Sequence, residues 1–345
     1  MRATILLFFI VLNSIVFAQK ELKVISLKET KRIATNLSAD NMEGRRAFTT
    51  GNEKAAAYIA NEFQKIGLKR WNDHDSFLQT FQLAKKINAN KRASYSFDLS
   101  QEGEKVQLSN IVGVLPGKSR PQEYVIFSGH FDHLGINARN LQNSDSIYNG
   151  ANDDGSGTVT VMQVAEAFGR AAAAGNKPRR SILFMTVTGE EKGLLGSEYY
   201  SNHPLFPLEN TVCDLNIDMT GRRDEGHEGK PDYIYVIGSD KLSSQLHDVL
   251  LEQNKQHMGL DLDFTFNDPN DPNRFYYRSD HYNFAKKKIP VAFFFNGVHE
   301  DYHQPTDDVE KIDFDQVQKI GRLVFYMAWD ITNRNERLKV DSNKP

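Results

Sequence analysis

The chain has little cysteine and little net charge, and each shortage excludes a class of protein. Cys213 is the only cysteine, so an intramolecular disulfide cannot form. Lysine plus arginine total 42 against 45 aspartate plus glutamate, which leaves a formal net charge of -3 without a long basic run. Nucleic-acid binding therefore has no electrostatic support, and we expect no nucleic-acid partner.

Long apolar runs are also missing from most of the chain, and the exception stands at the N-terminus. Arg2 supplies a positive start, an apolar stretch covers residues 5–16, and Val16-Phe17-Ala18 has the small-residue pattern of a cleavage site. This order is typical of a secretory signal peptide, and the stretch is too short for a comfortable membrane span. We expect residues 1–18 to be removed and the mature protein to be exported, either periplasmic or secreted, without stable membrane insertion. An uncleaved anchor is the alternative.

The rest of the chain alternates short apolar strands with amphipathic helices, in a composition of 39% hydrophobic and 25% charged residues that is ordinary for a globular domain. A polar, alternating stretch between Gln79 and Leu108 predicts hairpin-like strands. The order of the elements predicts a three-layer α/β/α sandwich around a mixed, mostly parallel central sheet. The patterns predict strands at Tyr124–Phe127, Ser181–Thr188, Cys213–Met219, Tyr233–Ile237 and Pro290–Phe295, and helices at Asn52–Ile66, Gly157–Phe168, Ser197–Asn202, Ser243–Gln253 and from Asp313 onward.

Histidines and acids follow several of these strands. Each has an ordinary explanation by itself, because a lone histidine is usually a surface residue and Asn-Asp-Asp-Gly before a helix is usually turn and capping chemistry. Functional residues of such sheets gather at the carboxyl ends of strands, so we expect these side chains to converge on one edge. They occur in His130-Phe-Asp132-His133, Asn152-Asp153-Asp154, Glu190-Glu191, Asn216-Ile-Asp218 and His299-Glu-Asp-Tyr-His303.

Glu190 and Glu191 are adjacent acids directly after a predicted strand. Two neighbouring carboxylates are costly to bring together unless a cation or a shared proton is present. Neighbours on an extended chain face opposite ways, so we expect the two glutamates to have different tasks.

Imidazoles and carboxylates in this proportion suit zinc, with cobalt or manganese as alternatives. The candidate ligands exceed what one tetrahedral ion needs, so the sequence favours a site for two metal ions. Such ions would acidify a bound water and provide a nucleophile at neutral pH.

Taken together, these motifs resemble the zinc exopeptidases of the aminopeptidase Y and bacterial leucyl aminopeptidase type, which are relatives of the glutaminyl cyclases. The resemblance covers nearly the whole mature chain and depends on many motifs in the same order. They are Asn41-Met-Glu-Gly-Arg45, His130-Phe-Asp-His133, Asn152-Asp-Asp-Gly-Ser-Gly157, Glu190-Glu-Lys-Gly-Leu-Leu-Gly-Ser197, Ser279-Asp280-His281 and His303.

The resemblance implies a ligand set for two zinc ions per chain. Asp153 would bridge both ions. Glu191 and His303 would complete one site, and His130 and Asp218 would complete the other.

It also implies roles for the neighbouring polar residues. Glu190 would be the general base, which takes a proton from the bridging water and returns it to the leaving amine. Asp132 would be a supporting acid that orients the imidazole of His130. Asp154 is expected to support the turn rather than bind metal, and His133 to support its loop.

The implied activity is that of a co-catalytic dizinc metallo-aminopeptidase, which hydrolyses N-terminal residues from peptides through a metal-bridging water. Its partners would be peptide substrates with a free N-terminus. A single-zinc glutaminyl-peptide cyclotransferase and a non-catalytic binding module on the same scaffold are the alternatives. The complete set of presumed ligands argues against the binding module, and the Asn-Asp-Asp-Gly loop and Glu-Glu pair favour the peptidase over the cyclase.

Many secreted relatives carry an inserted protease-associated domain, but the segment between Phe81 and Asn110 is too short for one. We therefore expect a single catalytic domain over residues 19–345, with substrate selection by the loops Gly221–Asp232 and Asp261–Tyr277. The second loop is rich in aromatic residues, which would either line an apolar side-chain pocket or pack the loop onto the sheet. The pocket would favour hydrophobic N-terminal residues; these aromatics are Phe264, Phe266, Phe275, Tyr276 and Tyr277.

Some polar residues remain open. Ser279-Asp280-His281 would either shape the pocket or cap a helix. The sequence does not choose an oxyanion donor among Tyr302, Tyr276 and Tyr277. The histidines without a place in the metal pattern are expected at the surface; they are His74, His203, His227, His247 and His257.

Overall fold

The structure is a computed structural model that describes residues 25–71, 74–137, 145–227, 229–230 and 232–342. The predicted signal peptide, residues 1–18, lies outside the described residues. Within the described part of the chain, every helix is too short or too polar to cross a membrane.

Strands and helices alternate along the chain, as the sequence pattern predicts. The strands are β1 (Leu78–Ile87), β2 (Ala93–Ser96), β3 (Glu104–Leu115), β4 (Arg120–His130), β5 (Gly135–Ile136), β6 (Ile147–Tyr148), β7 (Arg180–Val187), β8 (Thr211–Ile217), β9 (Tyr233–Ile237), β10 (Asp261–Asp263) and β11 (Val291–Phe295). The α-helices are α1 (Leu27–Leu37), α2 (Thr50–Ile66), α3 (Gly157–Ala173), α4 (Leu195–Asn202), α5 (Ser244–Gln253), α6 (His281–Ala285) and α7 (Phe314–Asn333). Short 3-10 segments lie at Asp40–Arg45, Glu190–Lys192, Leu208–Asn210, Glu225–His227, Thr265–Asn267, Phe275–Tyr277 and Val309–Lys311, and π-helical turns at Ala151–Ser156 and Asn254–Met258.

Nine of these strands form one mixed sheet in the order β10-β9-β11-β8-β4-β7-β3-β1-β2. The central strands β11, β8, β4 and β7 are parallel to one another, while β3 and β1 continue the sheet in antiparallel pairs. This arrangement confirms the predicted α/β fold with a mixed central sheet and the predicted hairpin. It also brings the carboxyl ends of the central strands to one edge.

Each face of the sheet is covered by helices. On β7, Ile182 and Phe184 belong to the larger core that packs under α3 and α7. Leu183 and Met185 point the other way, because side chains alternate along a strand, and join a second core with residues of α4 and α6. All of β7 is buried, as expected for a central strand that is covered on both sides.

The helix ends follow local signals in the sequence. The predicted helix beginning near Asn52 ends at Gly67, which adopts the left-handed conformation with φ 85°. The side chain of Asp313 accepts a hydrogen bond from the Gln316 backbone N–H, which is the predicted cap of α7.

One expectation about local geometry is wrong. β7 ends at Val187, and Glu190 and Glu191 lie in a 3-10 segment rather than on extended backbone. The chain leaves the strand through Gly189, whose φ of 75° lies in the left-handed region that favours glycine. Strand alternation therefore does not separate the two glutamates.

Candidate metal centre

The predicted ligands come together at the carboxyl edge of the central strands. His130 is the last residue of β4, and Asp218 directly follows β8. Asp153 lies in the turn before α3, Glu191 follows β7, and His303 lies in the loop after β11. The sheet order places β8, β4 and β7 side by side, so residues far apart in sequence become neighbours.

Three of these residues form a buried cluster that we call the strand group: His130, Asp153 and Asp218. His130 Nε2 lies 3.3 Å from Asp153 Oδ1 and 3.7 Å from Asp218 Oδ1. One potential ligand atom from each residue lies within 4.8 Å of the other two, which is a spacing that suits one metal ion.

A second cluster, the loop group, comprises Asp153, Glu191, His303 and His133. His303 Nε2 lies 3.0 Å from Asp153 Oδ2 and 3.3 Å from Glu191 Oε1. His133 Nδ1 lies 3.0 Å from the same Glu191 oxygen and 3.8 Å from Asp153 Oδ2. The metal-compatible spacing within 4.8 Å holds for His133, Asp153 and Glu191. One carboxylate oxygen of Asp153 thus faces His130 of the strand group, and the other faces His303 of the loop group.

His133, which the sequence assigns to loop support, lies directly beside the loop-group carboxylates. The ring is fully buried against Gly150, where a Cβ atom would lie 2.5 Å from the imidazole. Only glycine fits there, because the position also has a φ of 55°. The signal in the sequence is the second histidine of His130-Phe-Asp-His133.

Asp132 and Glu190 are also next to the clusters. The backbone N–H of Glu190 donates a hydrogen bond of 3.1 Å to Asp132 Oδ1. The nearest partner of His130 Nδ1 is the backbone oxygen of Asp132 at 3.0 Å, whereas the Asp132 carboxylate is 3.8 Å away. Asp132 therefore contacts both the imidazole and the turn that carries Glu190.

The two adjacent glutamates have different electrostatic surroundings. Burial raises the pKa of Glu190 well above its usual range, and the nearby charges of Glu191 and Asp218 add to that effect against the opposing His130. Burial and Asp153 would also raise the pKa of Glu191, but contacts with His133 and His303 lower it to about 2. Glu190 is thus suited to hold a proton, and Glu191 to stay ionised.

Three neighbouring imidazoles favour the ionised form of Asp153. Burial alone would raise its pKa, but His133, His130 and His303 lower it well below the usual range. Its backbone N–H donates a 3.1 Å hydrogen bond to Asp307 Oδ2, which fixes the turn.

Several buried ligand atoms lack a hydrogen-bond partner among the described residues: Glu191 Oε1, Asp218 Oδ1 and both ring nitrogens of His133. Buried polar atoms are normally paired, so unpaired ring nitrogens and carboxylate oxygens that lie this close to other polar atoms are an arrangement that suits a bound cation. Imidazole and carboxylate donors fit zinc. The residues present therefore suit the metal that the sequence predicts.

Residues outside the predicted ligand set support the centre. Asp154 accepts hydrogen bonds from the backbone N–H groups of Gly157, Met219 and His130, so it holds the turn, as expected. The buried guanidinium of Arg45 donates to the backbone oxygens of Phe131, Leu37, Asn149 and Gly150, which tie down the loops beside His130 and Asp153. Arg45 ends the Asn41-Met-Glu-Gly-Arg45 motif, to which the sequence alone assigns no role.

One open alternative can be narrowed and one expectation is wrong. Helix capping is one of the two alternatives for Ser279-Asp280-His281, but Asp280 makes no capping hydrogen bond at α6; instead its Oδ1 accepts from Ser197 Oγ. His227 is not a surface residue, because it is 6% exposed and stacks on Tyr233 with ring centroids 3.6 Å apart. Neither position had a periodic neighbour pattern that would have revealed its burial.

A pocket opens above the strand group. Apolar residues of the wall are Met219, Phe275, Phe293 and Phe295, and its polar rim includes Tyr302 and Arg278. Of the aromatic loop residues, Phe275 lines this pocket, and Phe266 packs behind it with ring centroids 4.7 Å apart. Tyr276 and Tyr277 line a separate small cavity. Tyr302 is thus the one of the three candidate tyrosines that borders the candidate site.

The sequence profile described as peptidase family M28 matches residues 110–328, which contain all the candidate ligands. The chain belongs to peptidase family M28. Membership in M28 confirms the predicted family, which is a family of peptidases.

M28 relatives share moderate identity with parts of this chain. The probable leucine aminopeptidase of Arthroderma otae is 28% identical over 231 residues, which are 66% of this chain and 58% of that protein. Aminopeptidase NAALADL1 of Mus musculus is 33% identical over 114 residues, which are 32% of this chain and 14% of that protein. The chain therefore spans little more than half of the first relative's length and much less of the second.

Solved structures share the fold over almost the whole chain. The aminopeptidase of Aneurinibacillus sp. strain AM-1 has a TM-score of 0.68 at 15% identity and covers 95% of this chain and 100% of its own. The zinc aminopeptidase BSAP of Bacillus subtilis has a TM-score of 0.66 at 17% identity, over 93% of this chain and 99% of its own. A glutaminyl cyclase of Bacteroides thetaiotaomicron reaches 0.63 at 16% identity, over 89% and 97%. At these identities the similarity shows the fold alone.

Proposed function

We propose that this M28 protein is an aminopeptidase that binds two zinc ions and removes N-terminal residues from peptides. The observation that carries the proposal is the position of Asp153 between two ligand groups. Its Oδ1 faces His130 Nε2 at 3.3 Å, and its Oδ2 faces His303 Nε2 at 3.0 Å. One carboxylate shared in this way is what a two-metal site needs.

We assign the ligands as the family resemblance implies, and these contacts support the assignment. His130 and Asp218 would hold one ion, Glu191 and His303 the other, and Asp153 both. Zinc, when bound, would acidify a water molecule and polarise the carbonyl of the scissile bond.

Glu190 is the proposed general base. Its Oε2 lies 3.9 Å from His130 Nε2, so the carboxylate borders the strand group without replacing a ligand. Because burial and neighbouring acids raise its pKa, Glu190 can accept a proton from the attacking water and return it to the leaving amine. The Asp132 carboxylate accepts a hydrogen bond from the backbone N–H of Glu190 and thereby helps to fix the position of the Glu190 carboxylate.

The apolar part of the pocket wall supports hydrophobic N-terminal residues as substrates. Three phenylalanines, Met219 and Val298 line it beside the polar candidate ligands, so an apolar side chain would find contacts there. The hydroxyl of Tyr302 accepts a hydrogen bond of 3.3 Å from Arg278, which leaves its own proton available for the substrate carbonyl oxygen.

Metal analysis and a substrate panel test the function together. Purified protein should contain two zinc ions per chain and release free amino acids from aminoacyl amides with apolar side chains. One zinc ion with pyroglutamate formation from N-terminal-glutaminyl peptides would instead identify a cyclase. Metal binding without turnover of either substrate class would identify a binding module.

The Glu190→Gln variant tests the base. It should keep the zinc content while kcat falls roughly 10²–10⁴-fold, because the base is removed and the ligands remain. Glu198→Gln, on the neighbouring helix α4, is the matched control and should retain activity. Full activity of Glu190→Gln would exclude the assigned role.

We also propose that the chain is exported after cleavage behind Ala18 and that residues 19–345 form a single catalytic domain. The N-terminal pattern of charge, apolar stretch and small residues supports cleavage. Sequencing the N-terminus of protein purified from its native compartment should find Gln19 first, and a start at Met1 would contradict cleavage.

A further inference from the structure

A continuous chain of buried polar side chains connects the interior of the sheet to Asp218. Asp214, Asn216 and Asp218 occur at every second position along and just after β8, so they share one face. Ser128 on β4 and Ser279 before α6 fill the spaces between them. All of these side chains are buried.

Four short contacts join these residues. Ser128 Oγ lies 2.8 Å from Asp214 Oδ1 and 2.8 Å from Asn216 Oδ1. Asn216 Nδ2 lies 2.8 Å from Ser279 Oγ, and Ser279 Oγ lies 2.7 Å from Asp218 Oδ2.

The donors and acceptors give this chain a direction. Asn216 Nδ2 can only donate, so Ser279 Oγ accepts from it and gives its own single proton to Asp218 Oδ2. Asn216 Oδ1 can only accept, so it takes the single proton of Ser128. The remaining 2.8 Å contact then requires Asp214 to donate to Ser128, which means that Asp214 carries a proton.

The reverse direction would need a flipped Asn216 amide and an ionised Asp214. An ionised carboxylate there would be a fully buried charge, and Asp214 has no ion pair with a cation in the described part of the chain. Its Oδ2 also has no hydrogen-bond partner among the described residues. Burial raises the pKa of Asp214 well above its usual range, and Asp280 adds to this against the hydrogen bond with Ser128.

We propose that Ser279 is a positioning residue for Asp218 and that the neutral carboxyl group of Asp214 fixes the direction of the hydrogen bonds that reach it. Ser279 occupies Oδ2 of Asp218, and Oδ1 is left facing His130 Nε2 at 3.7 Å without a hydrogen-bond partner among the described residues. These hydrogen bonds thus determine that Oδ1 is the Asp218 oxygen available to a metal ion. This inference rests on the proposed function, in which Asp218 is a zinc ligand.

Three buried serines provide a matched series of alanine variants. Ser279 contacts Asp218 directly. Ser128 is two residues further along the network, beyond Asn216. Ser181 lies at the opposite end of β7, where its hydroxyl donates to the Pro121 oxygen. Zinc titration of the metal-free full chain, with two resolved binding steps, measures the affinity of each ligand group.

Ser279→Ala should weaken zinc binding at the strand group about 10–100-fold, as the loss of an outer partner does, and leave the loop group unchanged. Ser128→Ala should weaken the same step less, and Ser181→Ala should leave both steps as in the wild type. The melting temperatures of all three report general destabilisation separately. Wild-type affinity in Ser279→Ala, or an equal loss in Ser181→Ala, would overturn the positioning role.

Infrared spectroscopy tests the direction of these hydrogen bonds independently of metal binding and activity. The wild-type minus Asp214→Asn difference spectrum at neutral pH should contain the carbonyl stretch of a protonated carboxylic acid. A carboxylate band in its place would overturn the direction. A wild-type chain that binds no zinc would overturn the proposed function and the role of Ser279 together, whereas two-zinc wild type with an unaffected Ser279→Ala would overturn only this inference.

Discussion

The strand group and the loop group share Asp153 but are held by different physical means. In the strand group, His130 and Asp218 stand at the ends of central strands, and the His130 side chain is 1% exposed. In the loop group, His303 lies in a loop and its side chain is 35% exposed. One half of the centre is therefore part of the sheet, and the other half depends on the loops above it.

The supports of the two groups differ in the same way. A buried chain of neutral donors ends on Asp218. The loop that carries His303 is instead fastened by Asp301, which pairs with Arg222 at 2.8 Å and Lys311 at 2.6 Å. Neutral buried hydrogen bonds are insensitive to salt, whereas ion pairs with a partly exposed cation such as Lys311 are screened by it in part. We therefore expect the strand group and the loop group to differ in zinc affinity and in their response to solution conditions.

Replacing the shared ligand should have the largest effect, because it breaks both groups at once. Asp153→Asn removes the charge that faces His130 and His303. Zinc affinity should fall at both steps by more than the roughly 10–100-fold typical of outer-shell partners, and activity should be lost. Zinc titration and peptide hydrolysis measure the two effects.

Asp308→Asn is the control for this change, since Asp308 lies nearby and contacts Asn149 rather than a candidate ligand. It should bind two zinc ions. If Asp153→Asn also bound two zinc ions with normal affinity, Asp153 would not be the bridge, and the two groups would be independent sites.

Replacing a histidine of the loop group should reduce zinc binding less than Asp153→Asn does, and only at the loop-group step. His303 Nε2 is within 3.3 Å of both Asp153 and Glu191, whereas His133 Nδ1 is close to Glu191 but 3.8 Å from Asp153. We therefore expect His303→Ala to lose one zinc ion per chain. His133→Ala should keep both ions and weaken the loop-group step about 10–100-fold.

Zinc stoichiometry and titration of the two variants distinguish a ligand from its support. Equal losses would make both histidines ligands, and a larger loss in His133→Ala would exchange their roles. A loss at the strand-group step in either variant would contradict the division into two groups.

Two of the predicted ligands have positions that follow from strand ends. His130 and Asp218 could be placed because apolar runs mark β4 and β8, and parallel strands bring their carboxyl ends together. The contact of His133 with Glu191 could not be predicted, because it depends on how one loop folds over another turn. The same holds for Ser279, whose hydroxyl meets Asp218 only through tertiary packing.

Local periodicity also misled at one point. It predicts which face of a regular element is buried, and it fails once the backbone leaves that element. Glu190 and Glu191 lie in a 3-10 segment beyond the end of β7, where strand alternation no longer applies. Their different pKa directions come instead from the histidines near Glu191 and the acids near Glu190.

Weakening the ion pairs that fasten the His303 loop should have the smallest effect on zinc affinity. That effect should be confined to the loop group. Asp301→Asn removes the charge that pairs with Arg222 and Lys311 but keeps the side-chain size. The pairs join the buried Asp301 carboxylate to two partly exposed cations and touch no candidate ligand, so zinc affinity at the loop-group step should fall only a few-fold at low salt. High salt should weaken the same step in the wild type and have little further effect in the variant.

The strand-group step should respond to neither change, because its support contains no ion pair in the described part of the chain. Glu166→Gln is the matched control: it removes a 2.6 Å ion pair with Arg170 on α3, and both zinc steps should stay as in the wild type. Zinc titrations of the three proteins at low and high salt measure these effects. A salt-dependent strand-group step, or a loop-group step that Asp301→Asn leaves unchanged at low salt, would show that the two halves of the centre are not supported differently.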